Sequence, residues 1–203
     1  PVILQVSRWD ALKGFLGVLQ AYRDHLTDTG AHLALVGPDA DSIADDPEGV
    51  GVLNEIRDAR NALPEPARSR VHIFCLPMAD QRENAFIVNA LQRHATVVTQ
   101  KSLHEGFGLT VTEAMWKARP VVASAVGGIQ DQIVDGESGL LLKDPEDTRA
   151  FAELVRRVLE DPDLAASLAH NARTRVLDHF LMVSSITRYT ELFLRLRHRR
   201  SPS

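Results

Sequence analysis

The sequence predicts an α/β fold: a parallel sheet with helices on both faces, followed by a helical C-terminal segment. Three observations carry the prediction. Short runs rich in Val, Ile and Leu alternate with segments of helical periodicity, the order that places crossover helices between parallel strands. Each run is short and dominated by Val, Ile or Leu, as strands covered on both faces should be. From Asp147 onward only helical patterns remain.

Taken in order, the strands fall at 2–7, 32–36, 71–75, 96–99, 120–123 and 139–142. Helical patterns fill the gaps at about 13–27, 48–63, 82–94 and 108–117. Pro120 follows a helix and opens a strand, two places where its missing N–H is harmless. The acidic stretch from Asp39 to Glu48 reads as a surface loop. Asp147 caps a helix running to about Glu160, and Asp161-Pro162 opens another that ends near His179. A third helix carries Val183, Ile186, Tyr189, Leu192, Phe193 and Leu196 on one face. Residues 1–179 therefore read as one α/β domain, and 180–203 as a helix and tail whose apolar face needs a partner. That partner is either this domain or a half absent from the chain. Because the first strand begins at Val2 with no lead-in, the chain is expected to be a piece cut at a domain boundary.

Composition excludes several classes. The 203 residues suffice for one sizeable core, and 44% hydrophobic with 25% charged residues is the balance of a soluble globular protein. No stretch approaches the roughly 20 apolar residues of a membrane span, and no leader-like run opens the chain. The net charge of −4 argues against nucleic-acid binding, and the basic tail from Arg195 to Arg200 reads as a solvated helix end. Cys75, the single cysteine, is expected at a core strand position, allows no intrachain disulfide and fits a reducing, cytoplasmic compartment. The histidines lack metal-ligand spacing, and Asp39-Ala40-Asp41 falls in the acidic surface loop, so no metal site is expected.

Three constellations can carry chemistry. Arg8 and Lys13 follow the first strand, where ligands bind in open α/β sheets, and two cations there suit a diphosphate. They also read as solvated charges on a turn. Glu105-Gly106-Phe107-Gly108-Leu109-Thr110 leads into a helix that contains Glu113. Its glycines let backbone approach a ligand, and the helix start offers free N–H groups and a positive dipole end to phosphate or sugar oxygens. Two carboxylates that far apart suit different hydroxyl-bearing parts of one extended ligand better than a shared proton. Gly127-Gly128 after the fifth strand forms another loop of close approach, or an ordinary turn.

In this order, Arg8-x4-Lys13, Glu105-x7-Glu113 and Gly127-Gly128-Ile129 resemble the donor-binding motifs of the retaining glycosyltransferases of family 4, over nearly the whole chain. Val6 to Lys13, Val88 to Arg93, Gln100 to Ser102 and Glu105 to Lys117 are most similar to the trehalose-forming members. Disaccharide phosphorylases of the family share much of the pattern. The resemblance implies a Rossmann-like domain, the C-terminal half of a two-domain GT-B enzyme. It implies transfer of glucose from a nucleoside diphosphate glucose to an acceptor sugar, glucose itself giving trehalose, with retention at the anomeric carbon. Arg8 and Lys13 would hold the diphosphate, Glu105 the glucosyl hydroxyls and Glu113 the ribose. Arg8, Lys13 and Glu105 would thus stand at the reacting end. Gly106, Phe107, Gly108, Leu109 and Thr110 would cradle sugar and phosphate through backbone amides, with Gly127 and Gly128 beside them.

No cofactor and no metal are implied, and the acceptor would be held by an N-terminal domain, leaving this chain inactive alone. The base-binding edge is expected from His72 to Pro77 and after Ala95, without a choice among adenine, uracil and guanine. Lys101 is a further candidate for donor contact, His104 is expected to position or face solvent, and Trp9 and Trp116 to pack. A dinucleotide-dependent oxidoreductase would show Gly-x-Gly-x-x-Gly after the first strand, which the Arg8 to Gly14 loop lacks. A non-catalytic sugar-nucleotide-binding module fits the same residues.

Overall fold

The computed structural model describes residues 1–39 and 47–199. Most of the acidic loop, including the Asp39-Ala40-Asp41 spacing beyond its first residue, and the tail from Arg200 lie outside the described residues. The elements run β1 (Val2–Val6), α1 (Phe15–His25), β2 (His32–Pro38), α2 (Pro47–Asn61), β3 (Val71–Leu76), α3 (Gln81–His94) and β4 (Val97–Gln100). They continue with α4 (Leu109–Trp116), β5 (Val121–Ser124), α5 (Ile129–Gln132), β6 (Leu140–Leu142), α6 (Thr148–Glu160), α7 (Pro162–His179) and α8 (Met182–Arg199). The six strands form one parallel sheet in the order β3-β2-β1-β4-β5-β6. The order reverses between β1 and β4, so the loops leaving those two strands open a crevice at the carboxyl end of the sheet.

Each face of the sheet buries its own core. On one side Phe15, Val18 and Tyr22 of α1, Leu53 and Ile56 of α2, and Phe151 and Val155 of α6 pack over Ile3, Leu33 and Leu35. On the other, Val111 and Met115 of α4 and Ala172 and Val176 of α7 pack over Leu4, Val36 and Val98, with Ile87 and Leu91 of α3 at the margin. The expected caps are in place: Asp147 accepts from Ala150 at the start of α6, and Asp161 from Asp163 and Leu164 at the start of α7. Asp80 does the same for α3.

The structure departs from expectation at three elements. β3 is an edge strand and is not covered on both faces; Phe74 is 42% exposed and Cys75 only half-buried. The first helix starts at Phe15, because Ala11–Lys13 forms a separate 3-10 turn closed by Gly14 at φ 66°. The four-residue α5 is too short to register as a periodic pattern. α8 carries its apolar face outward: Val183 is 72% exposed, Tyr189 64% and Phe193 66%, so the described residues do not cover it. No helix among the described residues is long and apolar enough to cross a membrane, and no cluster of three metal-ligating side chains occurs among them.

Candidate functional site

The loops leaving β1, β4 and β5 are stitched into one wall. After β1, the Asp10 carboxylate accepts from the Leu12 amide at 2.8 Å and holds the 3-10 turn that presents Lys13. Gly14 ends this turn directly against the β4 loop, where any Cβ would overlap the Lys101 carbonyl oxygen. The Leu103 amide donates to the Leu12 carbonyl at 2.7 Å, fixing the two loops together. The outcome is an ion pair across 92 positions of sequence. Lys13 Nζ lies 2.9 Å from Glu105 Oε2, each side chain only 14% exposed.

Gly127 and Gly128 owe their identity to the neighbouring loop. Gly127 sits at φ 50°, and a Cβ there would overlap the Glu105 carbonyl oxygen. The Gly128 amide donates to the Gly106 carbonyl at 2.8 Å. The close approach inferred for these glycines is thus an approach of backbone to backbone, which fixes where Glu105, Gly106 and Phe107 stand. Gly108 caps α4 without any side-chain hydrogen bond, so no side chain covers the positive end of the helix dipole at the start of Leu109–Trp116, the kind of end that suits an anion. Buried Gln132 donates through Nε2 to the Phe107 carbonyl, turning that oxygen inward.

Arg8 and Glu113 form the looser part. Arg8 has a side chain 73% exposed and reaches Asp10 at 3.4 Å. Glu113 lies one turn beyond Thr110 on the same side of α4, exposed, with the Lys117 ammonium as its charged neighbour. Arg8 also borders a mostly apolar cavity of about 160 Å³, lined by Val6, Val36, Pro38, Leu76 and Met78 at the ends of β1, β2 and β3.

Several sequence expectations change here. Of the stretch from His72 to Pro77 expected at the base-binding edge, Leu76 borders this cavity, with Met78 just beyond the stretch. His72, Ile73 and Phe74 lie further back along β3, and neither they nor the residues after Ala95 line it. Lys101 does not face the crevice. Its side chain, 2% exposed, runs beneath α1 past Gly17, and Nζ donates to the Pro145 carbonyl. Burial pushes the Lys101 ammonium below its ordinary value, with Asp144, Glu146 and Asp147 opposing the shift. Trp9 packs as expected, buried on Phe15 with its indole N–H donating to the Pro38 carbonyl at 2.6 Å, while Trp116 lies under the Arg173 guanidinium. His104 is exposed. Sequence reasoning missed Gln5, Gln100, Ser102 and Gln132, all fully or almost fully buried around the wall. Polar residues inside or beside apolar strand runs were the signal.

Fold and site together define a doubly wound α/β domain whose candidate site lies at the switch point of its sheet. Comparison with known proteins narrows the class: residues 1–175 match the model of the glycosyl transferases group 1, and the chain belongs to that family. It is 36% identical over 203 residues to a trehalose synthase of Pyrococcus horikoshii, covering 95% of this chain and 43% of that protein. A trehalose phosphorylase of Grifola frondosa is 30% identical over 184 residues, 87% of this chain and 24% of that protein. The chain thus spans less than half the length of these curated relatives.

Among solved structures, an Anabaena protein, HepE, in complex with UDP-glucose superposes with a TM-score of 0.77 at 23% identity, covering 96% of this chain and 48% of that one. The C-terminal domain of a group 1 glycosyl transferase family protein from Francisella tularensis superposes with a TM-score of 0.66 at 22% identity. There the match covers 89% of this chain and 86% of the other, so the fold is that of a C-terminal domain in this family.

Proposed function

We propose that this domain binds a nucleoside diphosphate glucose and forms the donor half of a retaining glucosyltransferase, with trehalose the product when glucose is the acceptor. The observation that carries the reading is the Lys13–Glu105 pair beside the uncapped start of α4. Glucosyl transfer must stabilise a departing diphosphate and a developing oxocarbenium ion. Lys13, a reoriented Arg8 and the α4 amides supply positive charge to the diphosphate without calling on a metal. Glu105 accepts hydrogen bonds from the glucosyl hydroxyls, Glu113 takes the ribose, and the cavity beside Arg8 takes the base.

An N-terminal half would hold the acceptor and cover the apolar face of α8; alone, the chain binds donor and transfers nothing. Positioning of acceptor against donor is worth roughly 7–11 kcal/mol of barrier, and this chain contributes one wall of it. A cytoplasmic setting goes with the single unpaired cysteine.

The test is calorimetry with a panel of nucleoside diphosphate glucoses, followed by a disaccharide assay with and without the N-terminal half. Donor binding by the chain and turnover only with both halves is the expected result. Disaccharide formed from glucose 1-phosphate with release of inorganic phosphate, and not from a nucleoside diphosphate glucose, would assign the phosphorylase reaction, the activity named for the Grifola relative. Binding with no turnover in either assay would leave a non-catalytic module, and absence of donor binding would end the reading.

A further inference from the structure

Behind the crevice, polar side chains form a chain of hydrogen bonds through what is otherwise apolar core. Thr110 Oγ1, in the first turn of α4, donates to Gln100 Oε1 at 2.9 Å. Gln100 Nε2 donates to Ser102 Oγ at 2.8 Å, and Ser102 Oγ in turn reaches Glu105 Oε2 at 3.4 Å. Gln100 is 1% exposed and Ser102 fully buried. Further back, Gln92, also fully buried, donates to the Thr110 carbonyl at 3.4 Å and accepts from Lys117 Nζ at 2.6 Å.

The direction of this chain is fixed by its chemistry. A carboxylate only accepts, so the Ser102 hydroxyl must spend its single hydrogen on Glu105. That leaves Ser102 Oγ to accept from the amide nitrogen of Gln100. The amide cannot flip, because its oxygen would then face a Ser102 oxygen whose hydrogen is already given to Glu105; the Thr110 hydroxyl, able to donate or accept, donates to the amide oxygen left facing it. Every link therefore points toward Glu105.

Packing alone does not require this arrangement. A buried polar group gains little for stability even when satisfied, and an apolar side chain would fill β4 equally well. Orientation is what the chain adds. Glu105 has three anchors: Lys13 at 2.9 Å, its own neighbour's Gly106 amide at 3.2 Å, and Ser102. If Lys13 turns to a diphosphate, the first anchor is lost when the carboxylate must be in place.

We propose that Gln100 and Ser102 are positioning residues that hold the Glu105 carboxylate for the donor's sugar and tie its orientation to the first turn of α4. The inference rests on the donor reading above.

It is tested by calorimetry on the chain with a nucleoside diphosphate glucose and the matching free nucleoside diphosphate. Ser102→Ala removes the last link; Gln100→Glu keeps the shape and the Thr110 contact but cannot donate to Ser102. Both are expected to weaken the glucose-bearing ligand by about tenfold, the scale of one hydrogen bond to a charged group, and the free diphosphate by less than about threefold. Ser102→Thr, which keeps a hydroxyl, should retain most of the wild-type preference. Binding of the free diphosphate reports that each variant is folded. An unchanged ratio between the two ligands, or equal weakening of both, would overturn the positioning role. Wild-type protein that binds neither ligand would instead overturn the donor reading itself, and the inference with it.

Discussion

The inner wall of the crevice and its outer lip are built by opposite means. Lys13 and Glu105 are nearly buried, paired at 2.9 Å, and set in loops that touch through backbone at Gly14, Gly127 and Gly128. Arg8 and Glu113 stand exposed on the rim, Arg8 holding only a 3.4 Å contact to Asp10. The inner wall is organised before any ligand arrives, so little ordering entropy remains to be lost there on binding. The lip keeps its rotamer freedom and gives it up only on engagement, at about 0.5–1.5 kcal/mol for each side chain ordered.

Substitutions on the two sides should therefore fail differently. The largest effect is expected from Gly127→Ala, which combines a left-handed backbone with an overlap on the Glu105 carbonyl. It should cost about 3 kcal/mol or more of unfolding free energy in a urea titration; a loss below about 1 kcal/mol would mean that the wall is not rigid. Next comes Lys13→Ala. By stranding a nearly buried Glu105 it should lower stability by about 3 kcal/mol, and it should weaken nucleoside diphosphates by about 1.5–3 kcal/mol while sparing free nucleosides. Equal weakening of both ligands would make Lys13 purely structural.

Arg8→Ala should leave the urea midpoint almost unmoved, since an exposed ion pair contributes about 0–1 kcal/mol, and yet weaken diphosphate binding measurably. A destabilised Arg8→Ala would erase the contrast between wall and lip.

The smallest effect concerns Lys101, behind the wall. Its folded pKa is depressed from 10.5, so the unfolded chain binds more protons between the two values and stability rises with pH through that window. Below the window the buried charge is a standing cost. Lys101→Met removes it and leaves the half-buried Pro145 carbonyl to water. The variant's melting temperature should exceed wild type at pH 7, with the gap closing as pH approaches 10.5. A gap that widens would show that the Pro145 contact outweighs burial.

All six strands were legible because each is a compact apolar run, and four of the glycines around the wall were singled out by their loops. What was not legible is revealing. Nothing in Val71–Leu76 says that it takes the sheet edge, since strand order is a long-range property. Gly127 and Gly128 suggested contact with a ligand, whereas their nearest constraint is the backbone of Glu105 to Phe107. Lys101 sits one residue past a strand that points into the crevice, and only the direction of its side chain removes it from the site. Gln100 and Ser102 entered the sequence reading only through the family resemblance, without a role, because spacing alone does not disclose a hydrogen-bond direction.

The Lys13–Glu105 pair also bears on how the cycle would end. An empty wall whose Lys13 is already neutralised attracts stray phosphate less, and an anion must displace Glu105 to reach that ammonium. On the proposed donor reading, a nucleoside diphosphate glucose would offer its sugar hydroxyls to the released carboxylate in exchange, and a spent diphosphate, with the glucose gone, would offer none. The pair can then close again behind the departing product, so the same contact that weakens the attraction for inorganic ions would hasten turnover. Its signature is a Glu105→Gln variant that holds free nucleoside diphosphate more tightly than wild type and lets it go more slowly.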